Sequence, residues 1–219
     1  MPKIIVFLGP SLDLESAEQH LSAEYRPPAK RGDLIAAARD GAVIIGLIDG
    51  VFHQESAVAH REILAAVKGG IRVVGSSSMG ALRAAEMDTL GMVGIGEVYR
   101  MYKSGELESD DEVALVFDPN TGLSLSEPLI NIRFTLQRAR ETGIIDTAVH
   151  DALLASARSL FYPKRTYRAM VSGPGDAVDA KTRERFLAWV DTHACDQKRN
   201  DAIAALEYIR GIAGEQEIL

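Results

Sequence analysis

Three short apolar runs constrain this chain more than any other feature. Ile4–Leu8, Val43–Ile48 and Ile71–Gly75 are each rich in Ile and Val, and each runs into a Gly-containing turn. Runs of four to eight residues that are apolar on both faces are expected of strands buried in a parallel sheet. Stretches with helical pattern lie between them. Leu12–Leu21 is one, and Asp33–Arg39 follows the breaker Arg26-Pro27-Pro28. Ser56–Lys68 is the clearest, with Ser56 as the expected N-cap and Gly69-Gly70 as its end. Strands alternating with helices at this spacing predict βαβ units. Glu24-Tyr25 adds a candidate short strand.

Further along, Met79–Met87 is predicted as a helix. Gly91-Met92-Val93-Gly94-Ile95-Gly96 has the spacing Gly-x-x-Gly-x-Gly, which is not the dinucleotide fingerprint. It reads as a turn that lets Val98–Lys103 pack closely. An acidic run, Glu106 to Glu112, leads into Val113–Phe117, an expected strand. From Glu127 onward the pattern is helical, over Asn131–Arg140, Asp146–Leu160, Lys181–Asp191 and Asp201–Ile209. Ser172-Gly173-Pro174-Gly175 is a turn between the second and third of these. The expected fold is therefore α/β: a small, doubly wound, mostly parallel sheet flanked by helices, with a helical C-terminal part. Its expected boundaries are a core over residues 1–140 and a helical extension over 141–219.

Composition excludes several classes. A chain of 219 residues buries a core large enough to need no covalent staple. Cys195 is its only cysteine, so no internal disulfide and no Cys-based metal site can form, which suits the reducing cytoplasm. The N-terminal apolar run is too short for a secretory signal, and nothing approaches the roughly 20 apolar residues of a membrane span. The formal charge of -7 argues against a nucleic-acid binder that neutralises many phosphates. Lys164, Arg165 and Arg168 form a local basic group that reads as solvated surface. No metal is expected. His53 and His60 straddle a loop and a helix at an unfamiliar spacing, and Asp110-Asp111-Glu112 reads as a solvated acidic turn.

Ligands of open α/β sheets bind beyond the carboxyl ends of the strands. That rule selects three loops: Gly9-Pro10-Ser11, Asp49-Gly50-Val51-Phe52-His53, and Gly75-Ser76-Ser77-Ser78-Met79-Gly80. In the third, small residues flank Ser78 at two-residue spacing on a strand-to-helix junction, as a nucleophile elbow requires. Such a turn would expose the Ser78 hydroxyl and aim backbone N–H groups at a developing oxyanion. The usual pattern has Gly two residues before the nucleophile, where this chain has Ser76. The alternative is a polar loop that caps the helix and binds a passive anion or phosphate. A nucleophilic Ser needs a base, and His53 and His60 lie on the same predicted edge. Asp49 and Glu86 are acidic candidates. Arg83 is placed to meet a carboxylate ligand, or to form an ordinary helix ion pair with Glu86. Either histidine is equally readable as a packing or solvated residue.

These same loops carry a family resemblance. Ile45-Gly46-Leu47-Ile48-Asp49-Gly50-Val51-Phe52, Ala57-Val58-x-His60-Arg61-Glu62-Ile63-Leu64 and Gly75-x-x-Ser78-Met79-Gly80-Ala81-Leu82-Arg83-Ala84-Ala85-Glu86-Met87 closely resemble the TfuA-like core. Further matches are Gly91-Met92-x-Gly94-x-Gly96, Tyr102-x-x-Gly105, Asp110-Asp111-Glu112-Val113-Ala114 and Ser126-Glu127-Pro128-x-x-Asn131-x-Arg133. The resemblance runs over roughly residues 4 to 140. It implies a role beside a YcaO-type enzyme, which uses ATP to activate a peptide amide oxygen that sulfur then replaces. The chain has no Walker-type loop, so nucleotide chemistry belongs to the partner, and no cofactor is expected. The implied contribution is sulfur delivery, by hydrolysis of a thiocarboxylated ubiquitin-like sulfur carrier. The resemblance is equally compatible with a non-catalytic module that docks the carrier or the YcaO enzyme. For the hydrolytic role the expected assignment has Ser78 attacking, His60 as base, Glu86 orienting it, and Met79 and Gly80 N–H groups holding the oxyanion. Ser11, Asp49, His53, Ser77 and Arg83 would contribute substrate contacts.

Overall fold

The computed structural model describes residues 2–52, 56–118, 121 and 123–215. The chain divides into two compact units, residues 1–110 with 198–219, and residues 111–197. This division follows spatial proximity, so the last helix belongs with the N-terminal sheet although it is last in sequence.

The first unit is a five-stranded, all-parallel sheet of β1 (Ile4–Phe7), β2 (Glu24–Arg26), β3 (Ile44–Leu47), β4 (Arg72–Ser76) and β5 (Val93–Ile95). The strand order is β2-β1-β3-β4-β5, that of flavodoxin-type doubly wound sheets. The three strands read from the apolar runs form its centre. β1 and β3 are buried at every position, because helices cover both faces. On one face α2 (Asp33–Arg39), α3 (His60–Lys68) and α4 (Met79–Met87) pack through Leu34, Ala37, Ile63, Ala66, Ala84 and Met87 onto Ile5, Phe7, Ile45, Leu47 and Val73. On the other, α1 (Leu14–His20) and α10 (Gln197–Glu215) pack through Ala17, Ala202, Leu206 and Ile209 onto Val6, Ile44 and Val74. Each buried Leu, Ile, Val, Phe or Met among these stabilises by about 1.5–3 kcal/mol relative to exposure, and each Ala by less. α5 (Glu97–Ser104) follows β5, and Asp201 of α10 accepts the Val98 N–H at its start (2.7 Å).

Several expectations need correction. Val93–Ile95 is a fifth strand, not only a glycine-rich turn. Val113–Phe117 is not a strand; only Phe117 forms an isolated bridge, to Ser124, and the Val116 N–H bonds the Ser126 hydroxyl (2.9 Å). α3 begins at His60 with Ala59 as N-cap, not at Ser56. The Ser56 carbonyl instead accepts the Arg31 N–H (2.7 Å), which holds that residue in the loop.

The second unit packs α6 (Leu129–Glu141), α7 (Thr147–Ser159), α8 (Tyr167–Ser172) and α9 (Ala180–His193) around Leu136, Leu153, Met170 and Phe186. Asp146, Thr166 and Asp179 cap three of them by accepting backbone N–H groups at 2.8–3.1 Å, each worth about 1 kcal/mol. Two surface readings also fail here. Arg165 is fully buried, donating to the carbonyls of Ala157 and Leu160 and to Asp111 Oδ2 (2.5 Å). Glu112 is likewise buried and takes a two-pronged pair from Arg133 (2.8 and 2.6 Å). The acidic turn is therefore a structural anchor.

Candidate functional site

Two polar clusters stand at the carboxyl edge of the first unit's sheet. The first lies where β1 and β3 send their chains to opposite faces. Asp49, 2% exposed, accepts the N–H groups of Gly9 (2.9 Å) and Ser11 (3.1 Å) through Oδ2 and the Ser11 hydroxyl (2.7 Å) through Oδ1. The Gly9–Ser11 turn is thus filled by a carboxylate of the chain itself. Asp49 and Ser11 do meet, as their shared edge led one to expect, and they satisfy each other.

The second cluster lines a cleft of about 500 Å³. The loop before α3 contributes Ala57, Val58 and Ala59, α3 contributes His60, and α4 contributes Met79, Leu82, Arg83 and Glu86. His60 Nε2 lies 2.8 Å from Glu86 Oε2, which also accepts from Arg83 Nη1 (2.6 Å). Arg83 Nε donates to the Val58 carbonyl (3.0 Å), fixing the guanidinium against the loop while Nη2 has no hydrogen bond among the described residues. The i, i+3 spacing on α4 and the start of α3 bring the three together. His60 is half-exposed and Arg83 is largely buried. The neighbouring Glu62 is buried and takes no part. It accepts the Gly32 N–H (2.7 Å) and the Ala59 N–H (3.3 Å), fixing the loop in front of α3.

An imidazole held by a carboxylate, beside a guanidinium, can take up a proton and bind an anion. The expected His60–Glu86 contact is therefore formed, with Arg83 completing it and Met79 lining the cleft. Phe52, from the loop selected after the second apolar run, also lines it, as do Arg31, Glu108, Ser109 and Asp110, which were not anticipated. Arg31 follows β2, so extending the strand-end rule to the candidate strand at Glu24-Tyr25 would have found it. His53 lies outside the described residues.

The serines are arranged differently from the expectation. Ser78 is the N-cap of α4, 2% exposed, makes no side-chain cap bond and is absent from the cleft lining. Ser77, not Ser78, stands at the bend. It has φ 64°, and the Ser78 N–H donates across it to the Ser76 carbonyl (2.7 Å). The turn is closed by backbone contact. A Cβ on Gly80 would lie 1.6 Å from the Leu47 carbonyl oxygen, and one on Gly75 would lie 2.2 Å from that of Gly80. Ser76 is tied away, donating to the carbonyls of Ile95 (2.8 Å) and Asp201 (2.9 Å). Among the described residues, the histidines pair elsewhere and none bonds Ser77 or Ser78. No group of three or more metal-ligating side chains is found among those residues, and no helix there is long and apolar enough to cross a membrane.

No curated protein matches the chain. The family model for "TfuA-like protein" matches residues 49–166, just over half of the 219 residues. That span holds the Asp49 loop, the whole His60–Arg83–Glu86 arrangement, the Ser77 turn and the Glu112–Arg133 and Asp111–Arg165 pairs. The chain belongs to the TfuA-like protein family.

Proposed function

We propose that this chain supplies sulfur to thioamide formation, the reaction with which the TfuA-like family is associated alongside YcaO enzymes, by hydrolysing the C-terminal thiocarboxylate of a ubiquitin-like sulfur carrier. The overall change is RCOS⁻ + H₂O → RCOO⁻ + HS⁻ + H⁺. The observation that carries the proposal is the His60–Glu86–Arg83 arrangement in an open cleft at the carboxyl edge of the sheet. Arg83 offers a fixed cation for the thiocarboxylate, and its uncommitted Nη2 is suited to a second hydrogen bond. His60, oriented by Glu86, acts as the base that activates the attacking group. The carrier's C-terminal tail enters between the Ala57–Ala59 loop and α4.

A second reading is docking without turnover. It is favoured by the burial of Ser78 and by the lack of a histidine bonded to either serine. One mixing experiment separates the two: thiocarboxylated carrier is incubated with this protein alone, without YcaO enzyme or ATP. Multiple turnovers of sulfide per protein molecule support hydrolysis. A stable complex that releases no sulfide supports docking and removes the hydrolytic reading.

A further inference from the structure

We infer that the cleft selects carrier tails with a basic side chain a few residues before the thiocarboxylate, held by Glu108 and Asp110. The inference rests on the thiocarboxylate reading above and adds what the substrate must carry. The cleft has walls of opposite sign. His60 of α3 and Arg83 of α4 line one part of it, and Glu108 and Asp110 line another, from the segment that follows α5. Glu86 already answers His60 and Arg83, at 2.8 and 2.6 Å. Glu108 and Asp110 are exposed, and neither carboxylate has an ion pair or hydrogen bond among the described residues.

Carboxylates on either side of them in sequence are matched by cations of the chain. Asp88 takes Lys103 (2.7 Å), Glu97 takes Arg100, Asp111 takes Arg165 (2.5 Å) and Glu112 takes Arg133 (2.6 Å). Glu106 is also unpaired, but it does not line the cleft. The segment that carries Glu108 and Asp110 is held in place. Leu107 is buried, the N–H groups of Glu106 and Leu107 bond the Met101 carbonyl (3.0 and 3.2 Å), and the Tyr102 hydroxyl donates to the Ser109 carbonyl (2.8 Å). Two fixed, uncompensated carboxylates thus face the same space as the guanidinium that receives the tail's terminal anion.

A cleft of about 500 Å³ accepts a small molecule or a short piece of peptide. An extended chain advances about 3.3–3.6 Å per residue, so with the thiocarboxylate on Arg83 roughly the two to four preceding residues run along the cleft. A Lys or Arg there reaches the acidic wall and completes its charge. An acidic side chain at the same place meets two like charges, which excludes carriers with acidic tails.

The test uses short synthetic peptides that differ only in having Lys, Ala or Glu at both the third and fourth residues from the C-terminus. Each is made as the carboxylate and as the thiocarboxylate. Fluorescence anisotropy gives the affinities of wild type and of the double variant Glu108→Lys, Asp110→Lys for the carboxylate forms, which requires no turnover. Wild type is expected to bind the Lys peptide about 10-fold more tightly than the Glu peptide at low ionic strength, with Ala between, since exposed pairs are individually weak. High salt should shrink the preference, and the double variant should reverse it. The wild-type order decides even if the variant does not fold. Equal affinity of wild type for the three peptides, no binding of any, or an unchanged order in the folded variant overturns the inference. Sulfide release from the thiocarboxylates reports separately on hydrolysis. Selective binding without release removes the hydrolytic reading and keeps the selection, whereas release with equal kcat/KM from all three keeps hydrolysis and removes the selection.

Discussion

Replacing Ser77 by Gly should make the protein more stable, although glycine usually destabilises. The magnitude follows from three terms. Relief of the left-handed conformation at φ 64° returns about 1–2 kcal/mol. Removal of a buried hydroxyl that has no partner returns about 1–3 kcal/mol. Against these, the added freedom of glycine in the unfolded chain costs about 0.5–1 kcal/mol. The net expectation is a gain of about 1–4.5 kcal/mol, or about 2–18 °C in melting temperature for a chain of this size. Urea unfolding followed by circular dichroism measures it, as a higher midpoint with unchanged slope. Ser77→Ala separates the contributions, since it removes the hydroxyl and keeps the strained Cβ; it should recover only the hydroxyl part. A Ser77→Gly protein that unfolds earlier than wild type would refute the reasoning, because it would mean that the hydroxyl or the Cβ makes a favourable contact.

Three further outcomes follow from particular contacts. Gly80→Ala places a Cβ 1.6 Å from the Leu47 carbonyl oxygen. No rotamer relieves a clash between backbones, so the variant should lose more than about 4 kcal/mol or fail to accumulate in soluble form. Asp49→Ala leaves two N–H groups and the Ser11 hydroxyl without their acceptor and should cost about 3–5 kcal/mol in chemical denaturation, with Asp49→Asn losing less. Glu127 is partly buried, and burial, reinforced by the nearby Asp196 charge, raises its carboxyl above the usual range. Its charged form is thus disfavoured in the folded state. Stability from this residue is complete below the ordinary glutamate pKa and falls as pH rises through the raised value. Glu127→Gln should therefore melt higher than wild type at neutral pH, with the difference vanishing in acid.

Much of the first unit was legible because burial on both faces writes itself as unbroken Ile and Val. β1, β3 and β4 were found for that reason, and α2 and α4 match their sequence spans. β5 was missed because it is three residues long with Gly94 at its centre, where a turn is the simpler reading. Val113–Phe117 misled in the opposite direction. Val113 and Ala114 are buried, yet the segment turns back on itself, with the Leu125 N–H on the Val116 carbonyl (2.8 Å). Burial without a neighbouring strand looks the same in sequence. Arg165 was read as solvated because three basic residues in a row of five suggest water, and nothing local announces the distant carbonyls that receive its guanidinium. At the site, the strand-end rule and helical spacing were enough to bring His60, Arg83 and Glu86 together. The position of the bend was not legible to the residue. In a run of three serines, only the sign of φ distinguishes Ser77 from Ser78.

The proposed hydrolysis depends most directly on the imidazole at the cleft. Steady-state sulfide release from thiocarboxylated carrier, compared between wild type and folded His60→Ala, tests it. Loss of a general base predicts a fall of about 100-fold or more, with Glu86→Gln intermediate because His60 then loses only its charged partner. Release by folded His60→Ala at the wild-type rate would contradict the proposed chemistry.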